Sequence, residues 1–458
     1  MTNTPDDDDR GPSSVFDSDD VVFTDRGGGF AYAPGEVIVR GPRVLQRLTT
    51  LQAGPEAESL LAEETIERLR LPEDLLPFRV SAVDEPLDMI EQLRAEGYDA
   101  QPNHVFFSHG CDCCTVHPAD AFNMVRSGGW ASPLHANPMR TNPMRSNPMR
   151  TNPMRTNSEF QNSAVPALRP TQPPLELRGP GTAPTIVVID TGVCQSLLSN
   201  TVTGDRDQPD VALSVESRVA KVPSDRYLDP VAGHGSFIVG LIAARAPGCP
   251  INSIKLVHPL GYIDEASVVS AVYGLVATHL AEVETGRPTQ RILNLSFGGP
   301  ALTKPEAMRA AITTAINTGM VVVASAGNDA TCEPQYPAAF DGVIAVGALG
   351  PFGPAPFTNF GGWVDACAPG TDLVSTFFHF DGAFPSINTS DLDKFEGWAT
   401  WSGTSFAAPI VAAAVAREIV MTTPPKGAAS ITGRQAVDRV IRAPQLLRIP
   451  DLGTVVNL

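Results

Sequence analysis

The sequence predicts an α/β protein, most of it a doubly wound, mainly parallel sheet flanked by helices, preceded by a smaller α+β domain. From residue 182 onward, apolar strand-like runs rich in β-branched residues alternate with helical runs. That alternation is typical of a parallel sheet buried on both faces. Shorter strand-like and helix-like runs alternate between residues 34 and 110. A polar, proline-rich segment separates the two parts.

Composition narrows the range of functions. The net charge of −17, from 50 acidic and 33 basic residues, disfavours a nucleic-acid partner. No apolar run approaches the roughly 20 residues that span a bilayer, so no membrane segment is predicted. The first 20 residues are acidic and contain no apolar stretch; no signal peptide is therefore predicted, and we expect a cytoplasmic location. The seven cysteines do not indicate a disulfide framework in that compartment.

The chain is divided into four parts. Residues 1–33 carry acidic runs and a triple glycine, which indicates a disordered tail. Residues 34–110 show the order strand, helix, strand, helix, strand of a small α+β domain. Residues 111–181 are a segment rich in Cys and His followed by a tether, and residues 182–458 form the α/β domain. The elements expected in the small domain are a strand at 35–41, a helix-like region at 43–70, a strand at 76–83, a helix at 86–97 and an extended segment at 98–108.

The tether contains four copies of Asn-Pro-Met-Arg at a period of five residues. Each proline fixes its own φ angle, removes a backbone donor and biases the preceding residue away from helix. The segment is therefore expected to be extended, solvated and accessible to proteases. The repeated arginines are Arg140, Arg145, Arg150 and Arg155.

Three residues of the large domain suggest nucleophilic catalysis. Asp190 ends the buried strand TIVVID, His234 lies between two glycines at the start of an apolar helix, and Ser405 begins another helix rich in small residues. Each residue alone has a non-catalytic interpretation: a helix cap for the aspartate, an exposed side chain for the histidine and an N-cap for the serine. Together they supply an orienting carboxylate, a base and a nucleophile in one of the chain orders known for such triads.

The segments TIVVIDTGV, GHGSFIVGLIAA and SGTSFAAPIVAAAVA resemble the signature motifs of the subtilisin-like serine proteases, or subtilases (peptidase family S8), and the resemblance covers residues 182–458. It implies a serine endopeptidase with a subtilisin-like fold. Asn328, after Ser-Ala-Gly, matches the oxyanion asparagine of the family. Substrate backbone is expected to bind along two segments: Ser296, Phe297 and Gly298, and Ser325, Ala326 and Gly327.

The small domain resembles the family's ferredoxin-like inhibitory propeptide in its element order and in its extended apolar end at 101–107. That resemblance implies that the domain assists folding and then occupies the active site. An unrelated accessory or binding domain is the alternative. Two features depart from the family: residues 111–181 intervene where it has only a few residues, and no signal peptide is visible.

The repeats suggest a substrate preference. If Ser405 cuts after arginine, the four Met-Arg sites are redundant autoprocessing points, and the primary pocket should carry an acid. Glu333, in the loop after Asn328 where the family forms the pocket floor, is the candidate. A surface glutamate and a repeat that serves only as a spacer are the alternatives.

A cluster of Cys and His follows the small domain, with Cys111, Cys113, Cys114 and His117 as its metal-ligand candidates. Such density suggests zinc, although the Cys-x-Cys-Cys spacing is too crowded for the usual knuckle. A redox-sensing thiol and an incidental role remain open. Catalysis by the triad needs no cofactor; structural calcium is common in the resembled family, and no loop identifies its ligands.

The sequence therefore predicts a serine endopeptidase made as a self-inhibited zymogen. Its expected partners are protein or peptide substrates and its own amino-terminal domain, with no nucleic acid and no membrane. Two alternatives stay open: a regulatory peptide-binding protein held permanently inhibited, and a maturation protease dedicated to one partner protein.

Overall fold

A computed structural model describes residues 21–24, 30–50, 56–108, 165–166, 182–207, 231–258, 261–286, 290–301, 304–383, 392–422 and 430–457. They form a small amino-terminal domain and a larger carboxy-terminal domain, joined by one β-sheet that contains strands of both. The repeat arginines and the Cys/His cluster candidates lie outside the described residues: Arg140, Arg145, Arg150, Arg155, Cys111, Cys113, Cys114 and His117.

The amino-terminal domain is an antiparallel sheet with helices. Its strands follow the order β5-β2-β4-β3, and every neighbouring pair is antiparallel. From β2 onward the elements give the β-α-β-β-α-β succession of a ferredoxin-like domain, with α2 as a short addition. In chain order the elements are β1 (Val22–Thr24), β2 (Phe30–Arg40), α1 (Val44–Thr50), β3 (Glu56–Ser59), α2 (Glu63–Leu69), β4 (Phe78–Ser81), α3 (Pro86–Ala95) and β5 (Asp99–Ser108).

The start, the end and the buried face of helix α3 follow from its sequence. Pro86 stands in its first turn, where a missing N–H costs nothing, and Gly97 follows its end with a φ of +90°. Ile90 and Leu93, three positions apart, are buried in one apolar cluster with Val37 and Val80 of the sheet. The helix therefore covers one face of the sheet.

Two expectations for this domain differ from the structure. Strand β1 lies within the segment expected to be a disordered tail, and it pairs with the start of β2. The helix-like region 43–70 contains two helices with strand β3 between them. Gly54 and Pro55 precede β3 in the sequence, and both residues disfavour a continuous helix. The helical spacing of the leucines therefore does not correspond to one continuous helix.

The carboxy-terminal domain is built on a sheet in the order β19-β20-β16-β14-β13-β11-β7-β9-β8. All pairs from β8 to β20 along this path are parallel, and only β19 is antiparallel to its neighbour. The strands are β7 (Thr185–Asp190), β8 (Val202–Gly204), β9 (Ile251–Lys255), β11 (Arg291–Leu295), β13 (Val321–Ser325), β14 (Ile344–Gly350), β16 (Ala366–Pro369), β19 (Arg448–Ile449) and β20 (Gly453–Val455), with β15 (Gly353–Pro354) beside β14.

Helices cover both faces of this sheet. Residues of α4 and α7 pack in one buried cluster and residues of α5 and α6 in another. The doubly wound, mainly parallel sheet predicted from the alternation is confirmed. The helices are α4 (His234–Arg245), α5 (Glu265–Glu284), α6 (Glu306–Asn317), α7 (Thr404–Met421) and α8 (Gly433–Val437), the last continued by a π-helical turn at Asp438–Arg442.

Two described helices, α5 and α7, match a membrane span in length and apolar composition. In α7, 83% of that span is buried inside the protein, and in α5 44% is. Helix α7 is rich in alanine, so it can approach the sheet closely, and it packs in the same cluster as Val323 and Val346 of the strands. Helix α7 is therefore buried as a core helix of this domain is.

Two further groups of strands lie outside this sheet. Strands β17 (Leu373–Ala383) and β18 (Leu392–Trp401) form a long hairpin that leads into α7, and β6 (Val165–Pro166) pairs with β18. Strands β10 (Tyr262–Asp264) and β12 (Phe297–Gly298) pair with β5 of the amino-terminal domain.

The fold brings several predicted residues to one edge. Strands β13, β11 and β7 are consecutive neighbours, and parallel strands end at the same edge. Asp190 ends β7, Ser296 follows β11, and Asn328 lies three positions after β13. A crevice outside the carboxyl ends of strands is where open α/β sheets bind ligands.

Candidate active site

Asp190 and His234 form a buried pair. Both side chains are fully buried, and Nδ1 of His234 lies 2.8 Å from Oδ1 of Asp190. The backbone N–H of Thr191 donates to the same oxygen at 2.8 Å, whereas Oδ2 of Asp190 has no hydrogen-bond partner among the described residues. A carboxylate on Nδ1 fixes the tautomer of the imidazole, which leaves Nε2 to exchange a proton.

Glycines allow the close approach of the two loops that carry this pair. Gly233 precedes α4 with a φ of +78°, and a Cβ there would lie 2.3 Å from the ring of Phe377. A Cβ on Gly235 would lie 2.2 Å from the carbonyl oxygen of Gly192. Gly233 is thus required by packing and by its backbone conformation, and Gly235 is required by packing.

Two aromatic rings flank the imidazole. Trp401 meets His234 edge to face with ring centroids 5.4 Å apart, and Phe406 lies at 5.1 Å. Trp401 ends β18 and Phe406 follows Ser405 in α7. The hairpin and the helix therefore hold the imidazole in place from two sides.

Ser405 is the second residue of α7, after the N-cap Gly403. Its side chain is buried, and its Oγ donates to the carbonyl oxygen of Ser296 at 3.1 Å. The Oγ of Ser296 donates in turn to the carbonyl oxygen of Ser405 at 2.9 Å. The first turn of a helix carries N–H groups without intrahelical partners, so the backbone N–H of Ser405 is of the kind that binds an anion.

Asn328 lies beside the same helix start. Its Oδ1 accepts from the backbone N–H of Thr404 at 3.0 Å and from the Thr404 hydroxyl at 2.9 Å. Because the oxygen of the amide is engaged on Thr404, the orientation of the Nδ2 donor is fixed. Asn328 is the donor that the resemblance implies for an oxyanion, and the backbone N–H of Ser405 lies at the adjacent helix start.

Strand β5 of the amino-terminal domain occupies the cleft. It pairs antiparallel with β12, with Ser108 opposite Phe297 and Phe107 opposite Gly298. On its other edge it pairs antiparallel with β10, and the N–H of Ser108 donates to the carbonyl oxygen of Gly261 at 2.8 Å. The segment therefore binds between two edges as an added strand.

The end of β5 reaches the imidazole. The Oγ of Ser108 lies 3.2 Å from both Nδ1 and Nε2 of His234. Ser108 is fully buried. The amino-terminal domain thus places its own side chain against the residue that the sequence predicts as the base.

Phe106 anchors this strand. Its side chain is fully buried, and it belongs to one apolar cluster with Ile263 and Phe297. Gly299 lies beside the ring, at a distance where an added Cβ would make an ordinary van der Waals contact of 3.6 Å. An aromatic anchor two residues before Ser108 fixes how far the strand extends into the cleft.

Side chains of β5 also cap two helices of the large domain. The Oδ1 of Asn103 accepts from the N–H of Ala266 at 2.9 Å, at the start of α5. The Oε1 of Gln101 accepts from the N–H groups of Glu306 and Ala307 at 2.9 and 3.4 Å, at the start of α6. These contacts satisfy donors that a helix leaves unpaired.

A buried histidine and carboxylate join the domains at the same place. Nδ1 of His104 lies 2.7 Å from Oε2 of Glu265, and both side chains are fully buried. The other carboxylate oxygen, Oε1, accepts from the N–H of Met308 in α6 at 3.0 Å. Nε2 of His104 has no hydrogen-bond partner among the described residues.

The remaining predicted residues lie as follows. Ser325, Ala326 and Gly327 are buried at the end of β13, and Gly327 has a φ of +108°. Glu333 is exposed in the following loop, and its role in an arginine pocket stays a prediction. In the part of the chain that the structure describes, no group of three or more His, Cys, Asp or Glu side chains could hold a metal ion.

The sequence did not reveal several residues that the structure places around the site. Ser108 and His104 belong to the small domain, and no catalytic motif marks them, although His104 stands at the start of the segment rich in Cys and His. The end of β5 carries a weak signal, the apolar run Val105–Phe107 just before Ser108. Asp207, which bridges the loops around Asp190 and His234, follows no recognisable pattern.

Comparisons with known proteins relate the larger domain to one protease family. The sequence profile of the subtilase family (Peptidase S8) matches residues 181–427. A thermophilic serine proteinase of Bacillus sp. strain AK1 is 30% identical over 238 residues, which are half of each chain. Subtilisin DY of Bacillus licheniformis is 29% identical over 50% of this chain and 74% of its own. Subtilisin Savinase of Lederbergia lenta is 30% identical over 47% of this chain and 72% of its own.

Among solved structures, a lanthipeptide protease superposes with a TM-score of 0.43 and 17% identity, over 60% of this chain and 85% of that one. The matched region of the family profile contains Asp190, His234, Asn328 and Ser405. Residues 1–180, with the whole amino-terminal domain, lie outside it.

Proposed function

Because the chain belongs to the subtilase family of serine-type endopeptidases, we propose that it cleaves peptide bonds with Asp190, His234 and Ser405 and that its amino-terminal domain inhibits it until that domain is released. The observation that carries the second part is the seating of β5 between β10 and β12, with Ser108 against His234.

The first step is acylation. Ser405 Oγ attacks the carbonyl carbon of the scissile bond while Nε2 of His234 takes its proton. Asp190, held on Nδ1 at 2.8 Å, keeps the imidazole in the tautomer whose Nε2 is free to accept and stabilises the imidazolium that forms. Collapse of the tetrahedral intermediate breaks the C–N bond, and the imidazolium gives its proton to the leaving amine.

Charge develops on the carbonyl oxygen during this step. The Nδ2 of Asn328 and the backbone N–H of Ser405 are the proposed donors to that oxyanion. Asn328 needs no reorganisation because Thr404 already holds its amide oxygen, and preorganised donors are the most effective kind. A water molecule, deprotonated by His234, then attacks the acyl-enzyme and releases the new carboxyl group. We propose no cofactor for this chemistry.

Self-inhibition follows from occupancy. A substrate would add as a strand between β10 and β12, and β5 already makes those backbone hydrogen bonds. The caps from Gln101 and Asn103 and the buried His104–Glu265 pair add contacts that a short substrate lacks. A competing peptide must therefore displace the whole domain.

Autoprocessing has two candidate locations. The bonds just after Ser108 follow the strand that already lies against His234. The bonds after the repeat arginines are redundant and lie in a segment expected to be accessible. We propose that the first cut falls within the few residues after Ser108, and that the arginines are later sites if the enzyme prefers arginine.

Intact mass over time tests the proposal. Purified wild-type protein and Ser405→Ala are incubated under reducing conditions without added protease. Wild type is expected to lose an amino-terminal fragment that ends shortly after Ser108, while Ser405→Ala stays whole. Additional ends at Arg140, Arg145, Arg150 or Arg155 would support the arginine preference, and their absence would leave the repeats as a spacer.

Three other outcomes point elsewhere. Cleavage in both proteins would identify a contaminating protease and contradict autoprocessing. Persistence of both at full length, together with no reaction of Ser405 with a serine-directed phosphonate in the presence of mild denaturant, would favour a peptide-binding protein. Cleavage of its own chain without any cleavage of casein would favour a maturation protease with one partner.

A further inference from the structure

A carboxylate outside the triad joins the two loops that carry Asp190 and His234. Asp207 follows β8 and is 5% exposed. Its Oδ2 accepts from the hydroxyl of Thr191 at 3.1 Å and from the backbone N–H of Gly233 at 3.0 Å. Thr191 is the residue after Asp190, and Gly233 is the residue before His234.

Thr191 extends this link to the other side of His234. Its hydroxyl accepts from the N–H of Gly235 at 3.0 Å while it donates to Asp207. Its own N–H donates to Oδ1 of Asp190, the same oxygen that faces His234. The hydrogen bonds from Asp207 and Thr191 therefore fix the backbone on both sides of His234 relative to Asp190.

Lys255 supplies the opposite charge. Its Nζ lies 3.0 Å from Oδ1 of Asp207, and it stands beside Asp190 in the register of β7 and β9. Burial raises the pKa of Asp207, and Lys255 opposes that effect. Asp205, on the same segment, is exposed, and its carboxylate accepts the backbone N–H of Lys255.

We propose that Asp207 is a positioning residue for the protease reaction: with Lys255 it holds the loops of Asp190 and His234 at the separation that proton transfer requires. The inference rests on the proposed function, because it concerns the same base and carboxylate. The described contacts of the Asp207 carboxylate are with Thr191, Gly233 and Lys255. It acts through Thr191 and Gly233 on the geometry of the pair.

The size of the effect follows from the geometry of catalysis. A misplacement of about 1 Å can cost about 10²-fold in rate. Asp207→Ala removes the acceptor for both loops, so the first-order rate of autoprocessing is expected to fall about 10²-fold. Asp207→Asn can keep one oxygen facing Thr191 and Gly233 and is expected to retain more activity than alanine. Thr191→Val should resemble the alanine variant.

Two readouts separate positioning from stability. The first is the pH profile of the autoprocessing rate, whose acid limb reports the protonation of the essential base. It is expected to shift in Asp207→Ala and to stay in place in Asp205→Asn, the matched control. The second is an NMR measurement on Ser405→Ala chains labelled with ¹⁵N-histidine. The signal of the Nδ1–H proton of His234 is assigned by its loss in His234→Ala. Its chemical shift should change in Asp207→Ala and stay the same in Asp205→Asn.

The proposal fails if the autoprocessing rate of folded Asp207→Ala is within about threefold of the wild-type rate and its acid limb is unshifted. It also fails if the rate of Asp205→Asn falls as much as that of Asp207→Ala. If wild type neither processes nor reacts with the serine-directed phosphonate in mild denaturant, the proposed function fails. In any case without processing, the NMR measurement alone decides the role of Asp207. An unchanged His234 resonance in folded Asp207→Ala would then overturn it. Thermal unfolding of each variant establishes that it is folded.

Discussion

His104 of the amino-terminal domain and Glu265 of the carboxy-terminal domain form a fully buried pair across the domain boundary, with Nδ1 and Oε2 2.7 Å apart. Glu265 starts helix α5 and also binds the first turn of α6. The pair thus links the amino-terminal domain to two helices of the other domain. Removing one member of a buried pair leaves the other uncompensated, at a cost on the order of 3–5 kcal/mol.

We predict that His104→Ala loosens the amino-terminal domain. Opening of the cleft should become more frequent by about 10²-fold or more, which corresponds to the lower end of that cost. The measurement is the rate at which a serine-directed phosphonate labels Ser405 in the full-length chain. Arg68→Ala is the control, because Arg68 pairs with Glu284 across the same boundary in an exposed ion pair, worth about 0–1 kcal/mol. Equal rates in the two variants would contradict the role given to His104.

Asn328→Ala should lower turnover by about 10²–10³-fold, the usual loss for one oxyanion donor. Thr404→Val removes one of the two bonds that hold the Asn328 oxygen and keeps the backbone one, so a loss of roughly fivefold is expected. Both are measured as kcat on a fluorogenic peptide after removal of the amino-terminal domain. If Asn328→Ala loses no more than Thr404→Val, Asn328 is not an oxyanion donor.

His279 should make stability depend on pH. Burial lowers its pKa first, and the charge of Arg291 adds to that effect. Nη1 of Arg291 donates to its Nδ1 at 3.0 Å, so Nε2–H faces the carbonyl oxygen of Thr318 and the neutral ring fits the site. A lowered folded pKa means that the stabilisation is present above the unfolded value of about 6.5 and is lost as pH falls through that value and on to the folded one.

The test compares Ser405→Ala with Ser405→Ala/His279→Gln, so that no chain digests itself. The free energy of unfolding in urea is measured at pH 7.5 and pH 5.5. The parent should lose more stability between these pH values than the glutamine variant, because glutamine does not titrate. An equal loss in both would show that His279 does not contribute.

Cysteine reactivity should follow burial. Burial raises the pKa of the Cys249 thiol to about 11 and that of Cys367 to about 12, so at pH 8 their thiolate fractions are on the order of 10⁻³ and 10⁻⁴. Cys332 is exposed. In folded Ser405→Ala, iodoacetamide at pH 8 is expected to alkylate Cys332 and to spare the other two, as measured by peptide mapping. Fast alkylation of Cys367 in the folded chain would contradict the packing described here.

The sequence was sufficient to predict those parts of the fold and of the site that depend on short segments. The strand ending at Asp190, the glycines around His234 and the small-residue helix after Ser405 each determine their local structure, so the doubly wound fold and the neighbourhood of Asp190 and His234 were predictable. The glycines are informative because a Cβ at Gly235 would collide with backbone.

Contacts between the domains were not predictable in this way. Ser108 and His234 are 126 residues apart in the chain, and His104 and Glu265 are 161 apart. Both contacts depend on the register of β5 between β10 and β12, which no periodicity in the sequence specifies. Asp207 was missed for a related reason: it meets Thr191 and Gly233 only after β7, β8 and α4 have packed together.

The most direct test of the account is the rate at which a biotinylated fluorophosphonate labels Ser405 in wild-type protein, followed together with loss of the amino-terminal domain. Ser405→Ala serves as the blank, and peptide mass identifies the labelled residue. Ser405 is expected to be labelled, and its labelling should rise only as the fragment ending shortly after Ser108 is released. Rapid labelling of the intact chain, or no labelling of Ser405 once the fragment is gone, would contradict it.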